Sequence, residues 1–483
     1  MTTTAEHRSD RSVKGTRKSA YARPRVVGIK TEVPLITGEQ VRYVNLDSAA
    51  STPPLVKVRQ AVDDFLPWYS SVHRGAGYKS RLSTHLYEHA RDAVMRFVGT
   101  TPKTHVVVFV RNTTEALNLL AHRTLLEDDE LILTTKMEHH SNLLPWFRKK
   151  HEMVQLTEDG RIDMADLEQR LYQHEGKVKL ITISAASNVT GLVNDVHQVA
   201  RLAHAHGAKI AVDAAQLTPH RHISMGTYGA ADCIDIVAFS GHKLYAPYGT
   251  GALVVPATLF ADGDPMLVGG GTACLVTSSG IKWATGPDLE EAGSPNVIGV
   301  VAMAAALEEL MRFGMERVAE HERELTRYAI QRLQGVPGLT LRGPAWESVL
   351  AGEEDRLGVF CFTMGGQSYE KVAAVLANEW GVGVRSGCFC AHLYVAHLLG
   401  ISEEDASEAR ERLLTGLPVE LPGMVRASLG LANSKDDIDR LASGLMAIAR
   451  GDIHAQYAHN EHGDLEPVGT DHFFEAHGMS FLA

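Results

Sequence analysis

Short β-branched runs alternate with helically spaced segments along this chain, and that alternation limits the fold more than any other feature. HVVVFV (105–110) reads as a buried strand and TTEALNLLAHRTL (113–125) as the helix after it. ELILTT (130–135), VKLITISAA (178–186), KIAVDAAQ (209–216), DIVAFSGHK (235–243) and GALVVP (251–256) read as further strands, and VHQVARLAHAHG (196–207) as a helix closed by Gly207. Strands alternating with helices predict an α/β fold: a mostly parallel sheet covered on both faces. In such sheets ligands bind beyond the carboxyl ends of the strands. Polar residues collect at five of those ends, at 111–115, 138–140, 188, 213–216 and 240–243, which predicts one shared pocket.

The character changes after residue 297. IGVVAMAAALEELMRFG (298–314) has the pattern of a long apolar helix, and LGVFCFTM, KVAAVLANEWGVGVRSG, MVRASLGL and IDRLASGLMAIARG follow in an α+β style. The expected division is a flexible basic N-terminal arm (1–40), a large α/β domain (41–297), a smaller α+β domain (298–451) and a His-rich tail (452–483). Residues 1–30 carry eight Lys/Arg against two Asp/Glu; they read as a solvated arm, with a transit peptide as the alternative. The tail's five histidines, His454, His459, His462, His472 and His477, match no metal-ligand spacing, so no metal site is expected and the tail reads as a flexible surface segment.

Composition closes off several classes. The net charge of −11 argues against a general nucleic-acid binder, and no stretch approaches the apolar length that spans a bilayer. The 45% hydrophobic content is too high for a disordered chain. Five cysteines, an odd number without a framework pattern, point to a reducing, cytoplasmic compartment.

The chemically suggestive residues stand at the strand ends. Lys243 directly follows an apolar strand. It is either an exposed loop lysine or, if desolvated, a nucleophile toward carbonyls that forms a Schiff base. A Schiff-base lysine suits pyridoxal phosphate, which also needs an acid for its ring nitrogen. Asp213 ends a strand 30 residues earlier; it serves either as that acid or as a helix cap. Thr113 and Thr114 open a helix, as caps or as part of an anion site. Ser240 and His242 add donors. One of His139 and His140 would lie on an aromatic ring.

With these residues in place, the chain resembles the class V aminotransferase superfamily and, within it, the cysteine desulfurase/selenocysteine lyase group. The matching motifs run in order from residue 40 to 450: NLDSAAST, VHRGAG, RNTTEALNL, MEHHSNLLPW, SNVTG, VDAAQ, FSGHKLYAPYGTG, EAGSPN, VRSGCFCA and VRASLGLAN. The resemblance implies the type I fold of pyridoxal-phosphate-dependent transferases, with Lys243 as the residue that links to the cofactor. It also implies that Asp213 pairs with the pyridine nitrogen, Gln216 bonds the phenolic oxygen, and His139 stacks on the ring and shuttles a proton. Thr114, Ser240 and His242 would hold the phosphate. Ser294 would reach the phosphate of a partner subunit in a homodimer. Asn188 would lie near the substrate carboxylate, which Arg426 clamps with Arg385 beside it. Cys390, five residues after Arg385, matches the nucleophilic cysteine that takes sulfur from L-cysteine, releases L-alanine and becomes a persulfide; a sulfur-acceptor protein would then unload it. Selenocysteine is a further expected substrate.

Three departures stand against this pattern. Cys388 replaces a common histidine, Asn112 replaces a glycine, and 401–423 is longer than usual, with helical spacing. Two other readings stay open: another class V reaction (aminotransferase, amino-acid lyase or epimerase) with Cys390 structural, and a non-catalytic scaffold that has lost turnover.

Overall fold

A computed structural model describes residues 22–469 except 74, 261–262, 418, 420 and 462. The basic residues before 22, and His462, His472 and His477 of the tail, lie outside the described residues.

Seven strands form the main sheet, in the order His105–Val110, Gly251–Pro256, Ile236–Ser240, Lys209–Asp213, Val178–Ser184, Leu131–Thr135, His151–Val154. All run the same way except Gly251–Pro256, which is antiparallel to both its neighbours. The inner strands are buried on both faces, so they read as unbroken apolar runs rather than as alternation. The strands at 209 and 236 stop three residues earlier than the apolar patterns suggested. At the first, the Asp213 carboxylate accepts from the amide of Ala215 and turns the chain.

The apolar helix Val297–Phe313 ends at Gly314, which takes φ +100°, a conformation L side chains rarely adopt. Beyond it an antiparallel sheet orders Leu339–Leu341, Val359–Met364, Met424–Ser428 and Arg385–Gly387. It shares a second apolar core with Met315–Gln334, Tyr369–Trp380 and Lys435–Arg450. Val44 and Leu46 belong to this second core, and Val44–Asn45 pairs with Val382–Gly383. We propose the division at 297/298, with residues 44–46 lent to the smaller unit.

Two expectations are corrected. The arm is not flexible to residue 40: Glu32–Pro34 pairs with Gln40–Arg42, and the apolar side chains of Val33, Leu35 and Val41 close over Gly381. The described part of the tail also has structure. Tyr457–His459 pairs with Leu465–Pro467, and the Glu379 carboxylate accepts from His454 and Tyr457.

The two units are latched by a buried carboxylate. Glu322, on Met315–Gln334, accepts from the amide of Gly358 at 2.9 Å and pairs with His220 at 2.9 Å and with Arg221. Arg221 also holds Asp355 at 2.7 Å. Although burial opposes ionisation, His220, Arg221 and the Gly358 amide hold the Glu322 carboxyl down at about 2. A depressed folded-state value stabilises the fold above the unfolded value. That stability is therefore full above pH 4.5 and fades as pH falls toward about 2. Glu322→Ala strands His220 and Arg221 and is expected to cost about 3–5 kcal/mol, read as a lowered denaturant midpoint at neutral pH. A midpoint equal to that of the parent chain would show that the cluster carries no stability.

Candidate active site

The carboxyl ends of the main strands open into a cleft of about 820 Å³, including its mouth, walled on the far side by the smaller unit. Every candidate residue except Ser294 lines it: Thr114, His139, Asn188, Asp213, Gln216, Ser240, His242, Lys243, Arg385, Cys390 and Arg426.

Hydroxyls gather at one end. The Asn112 side chain caps the helix Thr113–Arg123 by accepting from the amide of Glu115, which gives this departure from glycine a structural reason. The amide of Thr113 donates to Ser240 Oγ at 2.8 Å, and the two side-chain oxygens lie 2.6 Å apart. Thr114 and Ser141 hydroxyls lie 2.7 Å apart. With His242, these neutral donors surround a space suited to a phosphate beside a helix N-terminus. Thr113 was expected as a cap or part of an anion site beside Thr114, whereas Ser141 was not singled out, although it falls inside the MEHHSNLLPW motif.

The cleft floor holds the titratable groups. Asp213 is 6% exposed, and burial pushes its carboxyl up, against Ala215 and Lys243, which pull it down. Burial also drives the Lys243 ammonium down to about 8, opposed by Asp213. Lys243 Nζ donates to Gln216 Oε1 at 3.3 Å, while Gln216 Nε2 is buried without a partner among the described residues. His139 Nδ1 accepts from the amide of Ser141 at 3.1 Å, leaving the ring proton on Nε2. Burial and then Lys243 bring its imidazolium down to about 3, so the ring is neutral at physiological pH. Behind it, Glu138 accepts from Thr135, Asn142 and Ser184 at 2.6–2.7 Å, and burial raises its carboxyl to about 7. Glu138 stood among the strand-end polar residues at 138–140, without an assigned role.

The third wall comes from the smaller unit. Arg426 donates to Asn188 O and to Asp47 Oδ1, each at 2.9 Å, and its guanidinium lies over the Phe389 ring at 5.0 Å. Its Nε is buried with no partner among the described residues. Arg385 approaches the same Asp47 at 3.6 Å. Asp47 was not on the list of site residues, yet it holds both arginines. A ligand carboxylate can replace it and accept from both guanidinium groups.

Cys390 is exposed at the cleft mouth. It and Phe389 take φ of 55° and 54°, a left-handed conformation that non-glycine residues rarely adopt. The loop is pinned at several points. Cys390 O accepts from the His140 amide at 2.7 Å, Phe389 O accepts from Asn188 Nδ2 at 2.8 Å, and the His140 and His392 rings stack 4.8 Å apart. Cys388 is half-buried and, like the other cysteines, free. Ser294 is exposed in a separate cleft with residues 69–73 and Gly270–Gly271.

The residues fit pyridoxal phosphate. The unpartnered Gln216 Nε2 and Arg426 Nε are donors awaiting an acceptor, Asp213 is a buried acid, and the hydroxyl cluster offers neutral donors to an anion.

A profile of the family described as "Aminotransferase class-V" matches residues 44–441. Curated proteins named cysteine desulfurase from Shigella sonnei (strain Ss046) and Escherichia coli (strain K12) are each 33% identical over 435 residues, covering 87% of this chain and 98% of each of those proteins. Among solved structures, the apo cysteine desulfurase of Thermococcus onnurineus NA1 aligns with a TM-score of 0.73 at 28% identity, covering 88% of this chain and 99% of that one. The S-sulfonic acid form of the cysteine desulfurase CsdA from Escherichia coli aligns with a TM-score of 0.70 at 28% identity, covering 85% and 96%.

Proposed function

The chain belongs to the class-V aminotransferase family, and from that premise we propose that it is a pyridoxal-phosphate-dependent cysteine desulfurase in which Cys390 receives the sulfur. The observation that carries this reading is the shared cleft: one thiol, one half-buried lysine, one buried acid and two arginines around a common space.

When bound, pyridoxal phosphate supplies an electron sink conjugated to the α-carbon of an amino acid. Thr113, Thr114, Ser141, Ser240 and His242 would hold its phosphate, Asp213 would pair with its ring nitrogen and Gln216 would bond its phenolic oxygen. His139, neutral and oriented by the Ser141 amide, would stack on the ring. Arg426, with Arg385 and Asn188 beside it, binds the substrate carboxylate in place of Asp47 and so orients the substrate thiol toward the cleft mouth. Lys243, buried enough to shed its proton near neutrality, moves the substrate's α-proton. The Cys390 thiolate then forms an S–S bond to the substrate sulfur. The C–S bond breaks, its electron pair stays with the carbon skeleton, and that carbon takes up a proton. L-cysteine and a thiol thus become L-alanine and a persulfide on Cys390, with no external oxidant or reductant.

Turnover requires unloading that persulfide. Cys390 is exposed, which supports transfer to a thiol-bearing acceptor protein. The working unit is a homodimer. Supporting this, Ser294 lies in a cleft of its own, and the nearby hairpin of Ala273–Thr277 and Gly280–Trp283 exposes Leu275, Val276 and Ile281. Among the described residues, no helix is long and apolar enough to cross a membrane.

Holoenzyme mixed with one equivalent of L-cysteine and no other thiol is expected to release up to one alanine per Cys390, with one extra sulfur on the peptide carrying Cys390. Alanine release with Cys390 unmodified, or pyruvate or a keto acid in place of alanine, would refute the assignment.

A further inference from the structure

At the opposite end of the sheet from the cleft, two segments bring together three side chains that the proposed reaction does not use. His204 comes from the helix Val196–Ala205, and Cys233 and Asp235 from the turn leading into Ile236–Ser240. One ligand atom from each lies within 4.8 Å of the others. Cys233 and Asp235 are buried, at 2% and 5% exposure.

The hydrogen bonds pose a specific problem. His204 Nδ1 lies 2.9 Å from Ala231 O, a carbonyl that can only accept, so the ring proton is on Nδ1. In the neutral ring, Nε2 then presents a lone pair to Asp235 Oδ2 at 2.9 Å. That contact closes either with a second ring proton, as an ion pair with Asp235, or with a cation bound at Nε2. Lys209 does not fill that role: its Nζ is 3.7 Å from the other carboxylate oxygen, Oδ1. A second ring proton closes the contact between nitrogen and oxygen as an ion pair, but it leaves Cys233 Sγ, which lies against the Gly229 backbone, outside that pair. A metal ion accounts for all three donors.

The geometry points to a zinc-class divalent cation site formed by His204 Nε2, Cys233 Sγ and Asp235, with water as the fourth ligand. Nitrogen, sulfur and carboxylate oxygen form a zinc-like donor set, and ligand atoms on one tetrahedral ion lie roughly 3.3–3.6 Å apart. Closing from the observed spacing therefore takes only small side-chain movements. The second shell is already present. Ala231 O fixes the imidazole tautomer as carbonyls do at zinc-bound histidines, and Asp235 Oδ2 is held by the Ile210 amide at 2.9 Å. Binding releases the Cys233 thiol proton to solvent, so affinity rises with pH. The ion would pin the turn before Ile236 onto the helix and onto the start of Lys209–Asp213, at the base of the strands that carry Asp213 and Ser240 to the cleft.

The test is zinc titration of the full-length holoenzyme against a competing chromophoric chelator, with zinc-edge X-ray absorption on the loaded protein. The expected result is one equivalent bound through a single sulfur. His204→Gln and Cys233→Ser should each weaken binding by more than about 100-fold, beyond the loss caused by removing an outer-shell partner, while Cys390→Ala leaves it intact. Because Cys233 is buried, His204→Gln decides the matter if the cysteine variant does not fold. No tight equivalent, binding unchanged in His204→Gln, or binding abolished by Cys390→Ala would each overturn the proposal.

Discussion

Cys390→Ala is expected to lower alanine formation from L-cysteine by at least about 10³-fold while the protein stays folded and loaded with cofactor. The reasoning runs from the loop outward. Cys390 is exposed, so its truncation opens no cavity, and surface changes of this kind cost within about 0.5 kcal/mol. Its backbone amide and carbonyl keep their positions, including the bond from His140. The loss is of one atom, the sulfur that would accept sulfur. Water cannot take its place, because an oxygen nucleophile attacks sulfur poorly and yields no persulfide. Cys388→Ala separates the two thiols of the CFC segment. Cys388 is half-buried and is not part of the lining of the cleft, so activity should stay within a few-fold of the parent chain. Full activity in Cys390→Ala together with loss in Cys388→Ala would assign the nucleophile to the wrong position.

Lys243→Ala is expected to fall further, by at least about 10⁴-fold, because it removes both the group that anchors the cofactor and the base that moves the α-proton. Lys243→Arg should not rescue it: a guanidinium stays protonated under all working conditions and cannot add to an aldehyde. The same site sets a pH dependence. With the ammonium at about 8, the neutral amine is the minor form below that pH and grows about tenfold per pH unit until it dominates. Uptake of pyridoxal phosphate by the cofactor-free chain should therefore accelerate with pH and level off above about 8. Uptake that is flat from pH 6 to 9 would mean that Lys243 is not the reacting amine.

Much of this site was legible because strand-end polarity is a local signal. An apolar run that ends in Asp213 or in Ser240–Lys243 advertises its own position, and the sheet then carries those ends to one place. Long-range partners leave no such mark. Asp47 holds Arg385 and Arg426 across more than 330 residues, and Glu138 becomes a site residue only when Ser184 and Asn142 close around it. The His204, Cys233 and Asp235 cluster escaped for the same reason, since no ligand spacing joins a helix to a turn two elements later. The pairing of residues 32–42 and of 457–467 was not legible for a different reason. Their apolar residues are too sparse to declare a strand, and they pair only because Gly381 and Glu379 offer them a surface. The helical spacing at 401–423 proved a better guide: Glu403–Leu414 forms, capped by Ser402, with no buried residue.

The most direct test of the account is borohydride reduction of the purified holoenzyme, followed by protease digestion and mass mapping of the pyridoxyl group. The account predicts a single modified peptide, carrying the group on Lys243. A pyridoxyl group fixed on any other lysine, with Lys243 unmodified, would contradict it.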